Sequence, residues 1–290
     1  GPYLLLKELG SGGMASVWLG RRRGGGPAVA IKHLHAHLAR DPAVCAAIQD
    51  EARLVASIVH PHVVRLLEVV RDGEQVALVF EHVHGLSLAE LTRLARERGV
   101  AVPPGVAVAV VLELLAGLDA AHGALDPEGR PLGIVHRDVS PQNIMLDETG
   151  ATRLLDFGVA KAAGRIQTTR DGSLKGKLSY MAPEQARGAR VTPATDVYAA
   201  SVVLWELLTA RRLFAGENEA AVLEQVLTGH VDVPSRHVPE LPEALDDVLR
   251  RGLATDPARR FPTAAAMAEA LRETRCLGPH RGGGGAPSPR

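Results

Sequence analysis

Two short runs restrict this chain more than anything else in it. They are His136-Arg137-Asp138-Val139-Ser140-Pro141-Gln142-Asn143 and, a short step later, Asp156-Phe157-Gly158. Together they set two acidic side chains and an amide at the spacing of a two-metal phosphoryl-transfer site. Moving a γ-phosphoryl group asks little covalent work of a protein. It needs a carboxylate to orient the attacking hydroxyl and oxygen ligands that fix Mg²⁺ against the phosphates. Asp138 suits the first task, Asn143 and Asp156 the second. The five-residue offset from Asp138 to Asn143 fits one loop wrapped around one cation.

Asp-Phe-Gly alone marks ordinary turns as readily as a metal site. Here it accompanies the full octet and three further runs in order: Gly10-Ser11-Gly12-Gly13-Met14-Ala15-Ser16-Val17, Val29-Ala30-Ile31-Lys32 and Ala182-Pro183-Glu184. The set resembles the eukaryotic-type protein kinase family. The similarity runs from about Tyr3 to about Arg275. The octet, with Gly176-Lys177-Leu178-Ser179-Tyr180-Met181-Ala182-Pro183-Glu184-Gln185, is similar to a bacterial, particularly myxobacterial, branch.

The bulk composition fits. The 290 residues are 46% apolar and 3% aromatic, so Leu, Val and Ala must fill the core. Thirty-three basic and 33 acidic residues balance, which argues against nucleic acid as a main partner. Cys45 and Cys276 are too few for a disulfide framework and suit a reducing cytoplasm as inert filler. The longest apolar run, Val106 to Leu118, holds Glu113 and is short for a membrane span. No signal peptide is legible. The Gly- and Pro-rich end, 276–290, reads as a flexible tail, so the chain is expected to be part of a longer protein.

Strands are expected over Leu4–Leu9, Val17–Gly20, Ala28–Ile31, Val64–Val70 and Ala77–Phe80, interrupted by one helix with Asp41 as N-cap and Pro42 at its first position. Val44, Ile48, Val55 and Ile58 fall near one face of it. From Leu88 the pattern turns helical. Pro103 opens a long apolar helix that Gly123 closes, and further helices are expected over Thr195–Thr209, Glu217–Thr228, Glu243–Ala254 and Thr263–Glu273. The expected class is α+β and bilobal: a β-rich N-lobe (1–80), a hinge (81–85) and a mostly helical C-lobe (86–275), with a small-molecule site in the cleft.

The resemblance implies roles along that cleft. Gly10 and Gly12 let backbone approach phosphates, with Ala15 where the family has a third glycine. Lys32 contacts the α- and β-phosphates and pairs with Glu51, which helical phase favours over Asp50. A lysine there also suits simple snorkelling to solvent. Val17, Ala30 and Met145 sandwich the adenine, Phe80 guards the back of its pocket, and backbone groups of Glu81 and Val83 bond its edge. The implied catalytic set is Asp138, Lys32, Glu51 and Asn143. The implied cofactors are ATP and Mg²⁺ held by Asn143 and Asp156, with Mn²⁺ as an alternative. Arg137 is expected to pair with a phosphate on the loop between Asp156 and Glu184, where Thr168 and Thr169 lead as sites and are otherwise plain polar loop residues. Glu184 is expected to pair with Arg260, and Asp196 to brace the catalytic loop.

Two departures from the family pattern stand together. Relatives carry Lys two residues after the catalytic Asp, where this chain has Ser140. They carry Thr after the glycine of the later loop, where it has Lys177. Either Lys177 replaces the missing cation as a catalytic group, or it is a surface lysine and the site is weakened. The expected function is an ATP-dependent protein kinase acting on Ser or Thr hydroxyls of protein substrates and regulated by autophosphorylation. The alternative is a pseudokinase-like nucleotide-binding scaffold.

Overall fold

Short runs of Val, Ile, Leu and Ala between charged and glycine-bearing turns pair into an antiparallel five-stranded sheet. The structure, a computed structural model, describes residues 1–13, 15–40, 42–73, 75–157, 177–274 and 276, excluding the side chains of 37, 42, 43, 47, 50, 51 and 53. The strands are β1 (Tyr3–Ser11), β2 (Ala15–Arg22), β3 (Ala28–Leu34), β4 (Leu66–Asp72) and β5 (Gln75–Glu81), in the order β1-β2-β3-β5-β4. Side chains alternate faces along a strand. Val29, Ile31, Ala77 and Val79 therefore form a small cluster on one face, while Leu78 and Phe80 join the main core on the other. Ala30 and Lys32 share that second face, opposite Phe80 and Leu78 in the register. The sheet thus aims Lys32 toward the rest of the chain.

Two helices interrupt the strands where one was expected: α1 (Ala36–Ala39), a single turn, and α2 (Pro42–Ala56). Asp41, the expected cap of α2, lies outside the described residues. The expected inward face holds, since Ile48, Val55 and Ile58 are buried and Val44 packs against them. The fourth strand begins two residues later than its apolar run. Val63 and Val64 instead turn to meet Leu154, with the Val64 N–H donating to its carbonyl at 2.9 Å. A second sheet, absent from the sequence reading, joins β6 (Gly85–Ser87), β7 (Ile144–Asp147) and β8 (Thr152–Leu154). Strands of three or four residues carry too little periodicity to be read alone. The segment 81–85 joins the two lobes, with Glu81 still in β5 and Gly85 already in β6.

After α3 (Leu88–Glu97), the larger lobe is built on α4 (Pro104–His122) and the helix Pro193–Thr209, which pack on each other and on Ala264–Glu273. Both central helices are predominantly apolar, as helices at the centre of a lobe are. Pro103 and Gly123 flank α4 as expected. At 19 residues α4 is longer than the apolar run from Val106 to Leu118, and is long and apolar enough to cross a membrane by length and composition. Ten of its residues, Val111 and Leu115 among them, are buried inside the fold. The helix Glu243–Gly252 lies close to Pro193–Thr209 because Gly252 has no side chain, and a Cβ there would stand 2.1 Å from the Ser201 hydroxyl.

One buried ion pair ties the later segments together. The Arg260 guanidinium donates to both Glu184 oxygens at 2.8 Å and to the Ala194 carbonyl at 2.9 Å, while the Thr195 hydroxyl donates to Glu184 at 2.8 Å. Burial pushes the Glu184 carboxyl up, but hydrogen bonds and charge from Arg260, with help from Thr195, hold it below its ordinary 4.5. The pair therefore stabilises the fold above about pH 4.5, and that share is lost as pH falls through the lower folded value. Breaking such a pair leaves a buried charge uncompensated. Arg260→Met is expected to cost about 3–5 kcal/mol in urea unfolding, and the double replacement Glu184→Leu with Arg260→Met markedly less than the single.

Candidate active site

The site forms where β7, β8 and the octet meet the inner face of the N-lobe sheet. Pro141–Asn143 make a single 3₁₀ turn before β7. That turn swings Asn143 back so that its amide nitrogen donates to the Asp138 carbonyl at 2.8 Å and to Asp138 Oδ2 at 3.1 Å. With its nitrogen so committed, the Asn143 amide oxygen is the atom left to ligate a cation. Across the cleft the Lys32 ammonium lies 2.9 Å from Asp156 Oδ1. The Leu155 N–H donates to the Asn143 carbonyl at 2.8 Å, which sets the Asp138–Asn143 pair next to the Lys32–Asp156 pair. The side chain of Glu51, the expected partner of Lys32, lies outside the described ones. The described partner of Lys32 is Asp156.

Backbone strain concentrates here. Arg137 has φ 63° and Asp156 φ 44°, two of the three non-glycine residues in the left-handed region among those described. That region costs side-chain-bearing residues of order 1–3 kcal/mol and survives where surroundings over-determine it. Asp196, 1% exposed, supplies the restraint at Arg137. Its Oδ1 accepts the Arg137 N–H at 2.9 Å, and its Oδ2 accepts the His136 N–H and His122 Nε2, both at 2.8 Å. Gln185 donates to the Arg137 carbonyl at 3.0 Å from the other side. The expected brace is therefore present. His122 and Gln185, which complete it, were missed because residues distant in sequence carry no signal of contact.

His136 links the two signature runs. It is fully buried, its Nε2–H donates to the Leu155 carbonyl at 2.7 Å, and its Nδ1 accepts the Asp138 N–H at 3.2 Å. These bonds require the neutral Nε2–H tautomer. Burial lowers its pKa and opposes the charged form, with Asp196 partly offsetting. The Phe157 ring, 3% exposed, packs 4.7 Å from the His136 ring and anchors the chain just after Asp156.

The remaining expected residues lie along the sheet, in the linker and on β7. Gly10 pairs with Val17 across β1 and β2, and Gly12 closes the hairpin with its N–H on the Ala15 carbonyl at 2.9 Å. Val17 pairs with Lys32, and Ala30 with Phe80. Ala30 and Met145 both pack against the main core, from the sheet above and from β7 below. Phe80 and Val83 are buried. The Glu81 carboxylate holds the Arg65 N–H at 3.0 Å and pairs with Arg153 on β8, tying the linker to both lobes. Lys177 comes in beside the octet, its ammonium 2.8 Å from Asp138 Oδ2. Gly158, Thr168, Thr169 and Ser173 lie outside the described residues, as do 277–290 of the expected tail.

The protein kinase domain profile matches residues 3–271, and the chain belongs to that family. It is 39% identical over 289 residues to the tyrosine-protein kinase MasK of Myxococcus xanthus, covering 99% of this chain and 44% of that protein. It is also 39% identical to the serine/threonine-protein kinase PkaB of Streptomyces coelicolor, over 93% of this chain and 62% of that one. The kinase domain of Mycobacterium tuberculosis PknI superposes with a TM-score of 0.71 at 27% identity, covering 94% of this chain and 96% of that one. The eukaryotic-type, bacterial resemblance and the bilobal fold are borne out. The chain spans less than half the length of the M. xanthus relative and of the probable Lactococcus lactis kinase PknB.

Asp196→Asn puts an amide donor where an acceptor now serves several donors. It is expected to cost about 1–3 kcal/mol in urea unfolding. Amide exchange at His136 or Arg137 is expected to quicken beyond what the global loss explains. Unchanged exchange at both would show that Asp196 does not hold the loop.

Proposed function

We propose that this chain is an active, ATP- and Mg²⁺-dependent protein kinase domain that transfers the γ-phosphoryl group to Ser or Thr hydroxyls. The observation that carries the reading is the gathering of Asp138, Asn143, Asp156 and Lys32 at one cleft through the 2.8–3.1 Å contacts of Asn143 and the 2.9 Å contact of Lys32. The donor set suits a hard cation. A carboxylate from Asp156 and an amide oxygen from Asn143 are oxygen ligands, and Mg²⁺ commonly takes one or two from the protein and others from phosphate. When bound, Mg²⁺ neutralises phosphate charge as the bond to the leaving group breaks. Asp138 orients the acceptor hydroxyl and takes its proton. Lys32 holds phosphate oxygens once nucleotide draws it from Asp156, and Glu51 is its proposed partner. The glycine turn at Gly10 and Gly12 covers the phosphates. Val17, Ala30 and Met145 enclose the base, with Phe80 behind it and the Glu81 and Val83 backbone at its edge.

The Ser/Thr acceptor rests on Ser140-Pro141-Gln142-Asn143 and on relatives named serine/threonine kinases, PkaB and the probable PknB among them. The M. xanthus relative is named a tyrosine kinase, so a tyrosine-bearing substrate belongs in the assay. Activation by autophosphorylation is part of the proposal. The buried Arg137 Nε has no hydrogen-bond partner among the described residues, and a phosphate on Thr168 or Thr169 would supply one. An ATP-supplied cytoplasm is the compartment this reading requires.

Labelled ATP, Mg²⁺ and a generic protein substrate give the direct test. Asp156→Ala and Lys32→Met are each expected to fold and to lose transfer by several kcal/mol in the barrier. Full activity in either folded variant refutes the assignment. Wild-type protein that binds nucleotide yet transfers nothing supports the scaffold reading instead. Mass spectrometry after incubation with ATP and Mg²⁺ is expected to find phosphate between Thr168 and Ser173. Active enzyme left unmodified there would end the autophosphorylation proposal.

A further inference from the structure

The octet carries a buried hydroxyl, not a cation, two residues after Asp138. Ser140 is 1% exposed and its Oγ has no hydrogen-bond partner among the described residues. The positive charge beside Asp138 arrives from another segment. Lys177, far along the chain, sets its ammonium 2.8 Å from Asp138 Oδ2, the same oxygen that Asn143 holds at 3.1 Å. Asp138 is 13% exposed and Lys177 40%, so the carboxylate is enclosed while the lysine stem keeps open space to move in.

We propose that Lys177 is a catalytic residue, the cation that neutralises the transferring phosphoryl group, supplied by the segment leading to Ala182-Pro183-Glu184 rather than by the octet. The proposal rests on the kinase reading above. An acceptor hydroxyl held by Asp138 must stand about 3–3.5 Å from the phosphorus it attacks. A cation already in contact with that carboxylate is therefore one short swing from the phosphoryl oxygens. A four-carbon stem that is partly exposed makes that swing without unpacking anything.

The step balances as follows. The acceptor oxygen forms a bond to the γ-phosphorus, and the bond from that phosphorus to the bridging oxygen breaks, its electron pair leaving with ADP. The hydroxyl proton passes to the Asp138 carboxylate. Lys177 keeps its proton throughout and shifts from carboxylate to phosphoryl oxygen. As it moves across, the charge on the phosphoryl oxygens is met. A kinase built this way depends on where residue 177 stands, because the octet contributes no cation of its own at Ser140.

A purely structural ion pair would hold the segment in place without touching phosphate, and the test separates the two. Lys177→Met, Lys177→Arg and the exchange Ser140→Lys with Lys177→Thr are compared with wild type. The measurements are turnover at saturating ATP and Mg²⁺ on a generic protein substrate and the Kd of a fluorescent ATP analogue, with Asp156→Ala as the inactive reference. Lys177→Met is expected to lose about one hundredfold in kcat, with the nucleotide Kd unchanged within about twofold. Lys177→Arg is expected to keep more activity than Lys177→Met. The exchanged double variant is expected to recover to within about tenfold of wild type, because the charge returns from the other side of the same space. The proposal is overturned if Lys177→Met keeps kcat within about threefold while Asp156→Ala is dead. Lost nucleotide binding or folding in Lys177→Met, with no recovery in the double variant, overturns it too and marks the pair as structural. Inactive wild-type protein would instead remove the kinase reading on which it stands.

Discussion

One buried carboxylate holds the active loop in a shape it would not keep alone. Asp196 receives the backbone N–H groups of His136 and Arg137 and the ring of His122, all within 2.9 Å. It sits in the first turn of the Pro193–Thr209 helix, the most completely buried helix of the larger lobe. The left-handed turn at Arg137 is therefore referred to the core rather than to the surface. Asp138 follows immediately, and its direction is inherited from that turn. A buried carboxylate without these donors would carry a large desolvation cost, so brace and loop support each other.

The charges of the cleft are arranged as pairs of opposite sign. Lys32 stands on Asp156 and Lys177 on Asp138, at 2.9 and 2.8 Å. Each pair joins segments remote in sequence: a strand of the small lobe to the turn at Phe157, and the segment before Ala182 to the octet. In these pairs each lysine partly compensates the charge of the carboxylate it meets. They also couple chemistry to conformation, since moving either lysine-bearing element leaves a carboxylate exposed to its own desolvation cost. The buried Glu184–Arg260 pair does the same for the platform beyond Lys177. Its partners Ala194 and Thr195 belong to the helix that carries Asp196. Platform and catalytic loop are therefore anchored on one helix.

Much of this was legible in the residues themselves. Asp138, Asn143 and Asp156 stand out because the proposed phosphoryl transfer needs oxygen donors at restricted spacing, and spacing along one loop survives in a linear sequence. The strands of the small lobe were visible as short β-rich runs between Gly-rich or charged turns, and the long helix of the larger lobe through an apolar run bounded by Pro103 and Gly123. The sheet β6-β7-β8 was not, since three residues show no period. Neither was the late start of β4, because Val63 and Val64 obey a contact with Leu154 that no local preference announces.

The sequence alone determined the residue types of the site, their order, and the odd placement of Ser140 and Lys177. Only the tertiary structure decided which of them meet. That Lys177 reaches Asp138, that Lys32 turns to Asp156, and that His122 and Gln185 complete the hold on Arg137 depend on how two lobes and three segments pack. The physical reason is range. Hydrogen bonds and ion pairs act over about 3 Å in space, and residues 39 to 124 positions apart are brought within that distance only by the burial of the helices and sheets between them.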